Sequence, residues 1–141
     1  MSPEDFMRIA LEEAMKGDMP FGAVIVRDNQ VVARGHNTVR RDSDPSAHAE
    51  VNVIRNLTRE LKNPSLEGYT LYATGEPCPM CAATCVWAGI SEIVFAASIQ
   101  DLRDAGVNQI EIYCEEVIAK GLRKIKLSKG LLREESVRLF K

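Results

Sequence analysis

The sequence predicts a layered α/β fold with helices on both faces of a sheet, and three observations carry that prediction. Segments with apolar residues at helical spacing alternate with short β-rich runs in the order α-ββ-α-β-α-β-α-β-α. Alternating units of this kind bury their strands between helices. The length, 141 residues, suits one domain over 1–141. The composition, 45% hydrophobic and 27% charged, is globular rather than disordered or fibrous. A chain of this size buries roughly two-thirds of its unfolded surface and needs no disulfide staples.

Ser2-Pro3-Glu4-Asp5 opens the first helix. Ser2 is a cap, Pro3 fits the first helical position, and the two acids sit at the positive end of the dipole. Phe6, Ile9, Ala10 and Ala14 follow at helical spacing, and Gly17 stops the helix. Phe21 to Val26 is an apolar β-rich run, Asp28-Asn29 a turn, and Gln30 to Gly35 the returning strand of an antiparallel hairpin. Arg40 to Ser46 reads as a polar loop. Ala47 to Lys62 reads as a helix capped by Ser46 and broken by Asn63-Pro64-Ser65. Tyr69 to Ala73 is a strand, Pro79 to Ala88 a helix ended by Gly89, and Ile93 to Ala97 a strand buried on both faces. Leu102 to Ile112 shows no clear period. Glu115 to Ala119 reads as helix, Arg123 to Leu127 as an alternating edge strand, and Leu131 to Phe140 as a terminal amphipathic helix.

No apolar run approaches the ~18 residues of a membrane span. Met1 to Lys16 is amphipathic and acidic, without the basic start and apolar centre of a signal peptide. The expectation is a cytoplasmic protein with no membrane partner. A net charge of -2 and a pI near 5.7 speak against a whole-chain nucleic-acid binder. The charge is uneven: residues 115–141 hold eight Lys/Arg against four Asp/Glu. That tail reads as the solvated face of an edge strand and helix, with phosphate contact as the alternative. Four cysteines are too sparse for a secreted scaffold, so their clustering points to metal or catalysis.

Two segments carry chemistry: His48-Ala49-Glu50 and Pro77-Cys78-Pro79-Met80-Cys81, each opening a helix. Cysteines three apart at a helix start place both sulfurs within reach of one ion, and the helix dipole favours the thiolates that bind zinc. Three readings compete. One is a thioredoxin-like redox pair, which leaves His-x-Glu unexplained. Another is a closed structural zinc site with Cys85 or His36 as fourth ligand. The third is a catalytic zinc held by His48, Cys78 and Cys81 with the fourth position open. Glu50 lies about 200° from His48 on an ideal helix, but at a helix start local geometry can bring it to the rim of the ion's open face. A carboxylate there can move protons between activated water and substrate, which typically contributes ~10²–10⁴-fold.

His-x-Glu followed by Pro-Cys-x-x-Cys resembles the cytidine-deaminase-like superfamily, in which the Glu is the acid/base and not a ligand. Pro20-Phe21-Gly22-Ala23-Val24, Gly35-His36-Asn37, Asp44-Pro45-Ser46-Ala47-His48-Ala49-Glu50 and Glu76-Pro77-Cys78-Pro79-Met80-Cys81 look like its purine-acting branch, the bacterial guanine deaminases and tRNA adenosine deaminases. The resemblance runs from about residue 5 to 119. It implies a three-layer α/β/α fold with a five-stranded mixed sheet, in a homodimer. It also implies hydrolytic, zinc (Zn2+)-dependent deamination of a nucleobase or nucleoside with release of ammonia.

By resemblance, His48, Cys78 and Cys81 hold zinc and Glu50 is catalytic. Asn37 reads the base edge, Phe21 and Trp87 line the pocket, and the backbone N–H of Ala49 faces the substrate. Cys85 is then a small buried residue. Cys78-Pro79-Met80-Cys81 and the stretch Asp101 to Tyr113 are similar to guanine deaminases, which makes guanine or a related aminopurine the leading substrate. Those enzymes carry an acidic pair where this chain has Asn108-Gln109. Either Glu111 substitutes or the substrate differs. The alternatives are wobble adenosine deamination in tRNA, a cytosine or isocytosine-type base, and a zinc-binding module without catalysis.

Overall fold

A computed structural model describes residues 1–141. Five strands, β1 (Gly22–Arg27), β2 (Gln30–His36), β3 (Thr70–Gly75), β4 (Glu92–Ala97) and β5 (Lys126–Lys129), form one sheet in the order β2-β1-β3-β4-β5. The sheet is mixed: β1 is antiparallel to β2 and β3, while β3, β4 and β5 run parallel. Helices are α1 (Pro3–Ala14), α2 (Val39–Asp42), α3 (Ala49–Leu61), α4 (Pro79–Ala88), α5 (Ile99–Asp104), α6 (Cys114–Ala119) and α7 (Arg133–Arg138).

The alternation along each central strand feeds two cores. Ala23, Ile25, Leu71, Ala73 and Ile93 face Val53, Ile54 and Leu57 of α3 and Ala82, Cys85 and Val86 of α4. Val24, Val26, Tyr72, Val94 and Ala96 face Phe6, Met7 and Ala10 of α1 on the other side, where α7 also packs. The result is the three-layer α/β/α arrangement. No helix is long and apolar enough to cross a membrane.

The hairpin turns where the sequence places it: Asp28 and Asn29 both have positive φ, 51° and 60°. This is the turn that matches the twist of paired strands, and Asn and Asp tolerate it. Elsewhere the boundaries move. α3 starts at Ala49 with His48 as its cap, because the Ser46 hydroxyl is held by Asp44 Oδ1 at 2.7 Å. The single turn α2 begins at Val39 and runs into the polar loop 40–46, and the region around 102 is the end of α5. β5 lies later than 123–127 because its pairing with β4 begins at Glu92↔Lys126. Gly130, at φ 85°, turns the chain directly afterwards, so α7 is shorter than the 131–140 segment.

This topology gathers the candidate residues at one end of the sheet. β3 ends at Gly75 and leads to Cys78; antiparallel β1 starts beside that end, so Phe21 arrives there too. β2 closes opposite Gly22 at His36, which delivers Asn37. The C-terminal segment returns behind the same place. Arg133 grips Asp101 through Nε–Oδ2 and Nη2–Oδ1 contacts of 2.8 and 2.7 Å, which hold the Asp101 carboxyl down at about 2. Ser136 Oγ donates to the Thr74 carbonyl at 2.6 Å. The Phe140 ring then lies 5.1 Å from that of Phe21.

Candidate metal centre and adjoining cavity

Two helix starts meet at the centre. His48 caps α3 in an extended conformation (φ -73°, ψ 158°), so its side chain leaves the helix end and is not tied to a helical face. That removes the angular conflict with Glu50, which sits in the first turn. Cys78 caps α4 in the same way (φ -65°, ψ 170°), Pro79 occupies the first helical position, and Cys81 falls in the first turn. His48 Nδ1 is 3.6 Å from the sulfur of Cys78 and 3.6 Å from that of Cys81. All three donor atoms lie within 4.8 Å of one another.

This donor set fits zinc. Two thiols and one imidazole are its preferred ligands. Tetrahedral bonds of about 2.3 Å to sulfur and 2.0–2.1 Å to nitrogen place N and S about 3.5–3.6 Å apart. The protonation pattern agrees. The Cys81 S–H and His48 hold the Cys78 thiol down to about 4. Cys81, as the donor in that bond and buried, is pushed up, and His48 is raised by its bond to Cys78. Protons thus fill a site where a cation can replace them. Neither candidate for a fourth ligand joins in. Cys85 is fully buried in the apolar cluster between α3, α4 and the sheet. His36 Nδ1 lies 2.9 Å from Glu13 Oε2, and its Nε2 faces Arg41.

Beside the centre is a cavity of about 240 Å³ lined by Met19, Phe21, Asn37, Val39, His48, Glu50, Glu76, Cys78, Val107, Asn108 and Gln109. Glu50 is 7% exposed. Burial first, and the Cys78 charge second, push its carboxyl up to about 7. The Phe21 ring lies on Gly75, where an added Cβ would meet Phe21 Cε1 at 2.9 Å; only glycine leaves that seat free. Asn37 is buried, and its Oδ1 accepts from the Val39 N–H at 3.1 Å. Its NH2 group is the part left for a ligand. Gln109 is half-buried and Asn108 exposed.

Ala49, between His48 and Glu50, is the first residue of α3, so its N–H has no partner within the helix; its side chain is buried in the core. Two expected residues stand elsewhere. Trp87 does not line this cavity: it lies nine residues beyond Cys78, about 13 Å along α4, and is 74% exposed. Glu111 is exposed and paired with Arg103, so it does not replace the missing acid. Sequence reasoning also missed residues. Asn52 braces the site, its Nδ2 donating to the carbonyl of His36 and to Thr38 Oγ1, both at 2.9 Å. Its one legible signal is an amide four residues past His48 on a helix whose inner face, Glu50 apart, is apolar. Met19 and Val107, in loops, and Val39, the first residue of α2, are apolar and carry no such signal.

The profile of the cytidine and deoxycytidylate deaminase zinc-binding region matches residues 1–97. The guanine deaminase of Bacillus subtilis is 39% identical over 120 residues, covering 82% of this chain and 77% of that protein. The tRNA-specific adenosine deaminase of Aquifex aeolicus is 41% identical over 101 residues, covering 69% and 67%. A solved structure from work on A-to-I editing by tRNA:A34 deaminases superposes with a TM-score of 0.83 at 31% identity, covering 96% of this chain and 98% of that one.

Proposed function

Because the chain belongs to the cytidine and deoxycytidylate deaminase family, we propose that it hydrolyses the amino group of a free aminopurine, guanine or a close relative, and releases ammonia. The chain is a zinc-type nucleobase or nucleoside deaminase. The observation that carries the finer reading is the cavity. At about 240 Å³ it is smaller than the ~300–1,000 Å³ usual for drug-sized ligands, as a single flat base requires. Away from Glu50 and the metal centre, its walls offer a neutral ligand groups without free charge. Glu76 lines it, but both Glu76 oxygens are occupied by backbone N–H groups. Asn37, Asn108 and Gln109 contribute amides.

In this reading His48, Cys78 and Cys81 hold the zinc. Zinc there supplies a Lewis acid and lowers the pKa of water toward about 7. Glu50 takes a proton at its buried carboxylate and returns it to the departing amino group. The Phe21 ring, backed by Phe140, stacks on the base. The Asn37 NH2 donates to an acceptor on the base edge, and the Ala49 N–H is a second donor. Zinc-loaded protein is to be assayed for ammonia release from guanine, isoguanine, adenine, cytosine, isocytosine, their nucleosides and a tRNA anticodon stem-loop. Fastest turnover of a free aminopurine base supports the proposal. Fastest turnover of a cytosine-type base or of a nucleoside overturns it.

A second reading, wobble adenosine deamination, is favoured by the end-to-end match to the A-to-I editing structure. It predicts fastest turnover of the stem-loop, with affinity falling steeply with salt.

Gln109 is the proposed discriminator between bases. Guanine presents its ring N–H and amino group as two adjacent donors. A carboxylate accepts from both, whereas an amide accepts from one and opposes the other. An unpaired buried donor costs about 1–3 kcal/mol. Gln109→Asp should therefore raise the ratio of kcat/KM for guanine over adenine, whose edge sets one donor beside one acceptor, by about tenfold or more. An unchanged ratio removes Gln109 from base selection.

A further inference from the structure

We propose that Glu76 is a positioning residue that sets the base-reading loop against the metal centre. Glu76 stands between the end of β3 and Cys78, is 7% exposed, and spends both side-chain oxygens on backbone. Its Oε1 accepts from the Ile99 N–H at 2.8 Å and its Oε2 from the Cys114 N–H at 2.8 Å. Its own N–H donates to the Ala97 carbonyl at 2.7 Å. Ile99 is the first residue of α5 and Cys114 the first of α6. One carboxylate therefore staples both ends of the segment that carries Val107, Asn108 and Gln109 into the cavity.

Burial of Ile99, Leu102 and Cys114 and the Arg133–Asp101 pair anchor the flanking helices, but backbone hydrogen bonds add little to the loop between them. The Val107 N–H bonds back to Leu102, but no backbone group from Asn108 to Ile112 bonds to anything outside the loop. The location of Gln109 relative to Cys78 thus follows from where its segment begins and ends. Both ends are referred to Glu76, two residues before Cys78. The inference rests on the proposed deaminase reading for its kinetic part only, and its structural part is tested without turnover.

Two variants separate the outcomes. Glu76→Gln keeps the shape but has one acceptor oxygen, and its NH2 group faces a backbone N–H. Cys114→Pro leaves the carboxylate alone and deletes one donor. Proline suits the first position of a helix, and Tyr113 before it is already extended (φ -79°, ψ 150°). In Glu76→Gln, hydrogen exchange at the Ile99 or Cys114 amide should quicken by roughly 10- to 100-fold, with zinc content at the wild-type value. KM for the preferred base should rise about tenfold with kcat changed far less, and the ratio of kcat/KM between guanine and adenine should move. Cys114→Pro should reproduce the KM and ratio changes while the Ile99 amide stays protected. Wild-type exchange at both amides in Glu76→Gln overturns the proposal. So does an unchanged KM and base ratio in either zinc-loaded variant, and so does zinc loss from both, which would make Glu76 a support of the metal site. If the wild-type protein turns over no free base, the substrate reading fails while the exchange result still decides the role of Glu76. If Glu76→Gln does not fold, Cys114→Pro decides it.

Discussion

Glu50→Gln is expected to bind zinc at the wild-type stoichiometry and to lose deamination by at least about 10²–10⁴-fold in kcat. The substitution preserves size in a residue that is 7% exposed, so it leaves packing in place. It touches none of the three donor atoms, which belong to His48, Cys78 and Cys81. What it removes is a carboxyl poised to exchange protons: burial and the Cys78 charge carry it up to about 7, and a proton carrier works best when its pKa lies near the operating pH. A bound cation acts in the opposite direction and pulls that value down. The wild-type enzyme should therefore lose kcat/KM as pH falls through a point below about 7, because the base form disappears. The variant's residual rate should lack that acidic limb. Metal analysis alongside ammonia release checks both statements. Full activity in zinc-loaded Glu50→Gln would end the assignment of Glu50 as proton carrier.

What made the centre legible was local chemistry at short spacing. Cys78, Cys81 and the pair His48-Glu50 each sit within a few residues of a helix start, and helix starts announce themselves through Pro79 and through the polar run before Ala49. Two strongly apolar central elements, Ile93 to Ala97 and Pro79 to Ala88, match their observed spans to within a residue. The pocket walls were harder to see because they depend on long-range closure. Val107 and Gln109 reach the cavity only because Glu76 pins Ile99 and Cys114, residues 23 and 38 positions away in the chain. Phe140 reaches Phe21 because Arg133 finds Asp101 across 32 positions and Ser136 finds Thr74 across 62. No periodicity encodes such pairings. Trp87 shows the opposite case: a residue carried over by resemblance is exposed and does not line the cavity, although its neighbours Val86 and Ala88 on α4 are buried. The boundaries of β5 slipped for a related reason. The alternation of Arg123 to Leu127 is real, with Ile125 buried, but the register of an edge strand is set by its partner, and β4 begins pairing at Lys126.

Cys81→Ala should abolish zinc binding, reduce deamination to background and remove the stabilisation that zinc confers, whereas Cys85→Ala should keep both metal and activity. Cys81 is fully buried, with its sulfur 3.6 Å from His48 Nδ1. Without it two donors remain, too few for the three protein ligands that a catalytic zinc keeps. Cys85 is one helical turn further on, equally buried, and its thiol is pushed well up by burial among apolar side chains. A buried neutral thiol behaves as a small hydrophobe, so its loss is felt as a small cavity costing about 1 kcal/mol. Metal linkage makes the contrast measurable without an activity assay. A ligand that binds only the folded state raises stability by RT ln(1 + [L]/Kd). Chelation should therefore lower the Tm of the wild-type protein and of Cys85→Ala by the same amount and leave that of Cys81→Ala unmoved. The comparison also decides between two kinds of centre. Release of zinc by Cys85→Ala would mean a closed four-ligand site, which leaves no coordination position for water beside Glu50, and the hydrolytic reading would fail with it. Retention would leave His48, Cys78 and Cys81 as the whole set of protein ligands, next to the cavity that Glu50 lines.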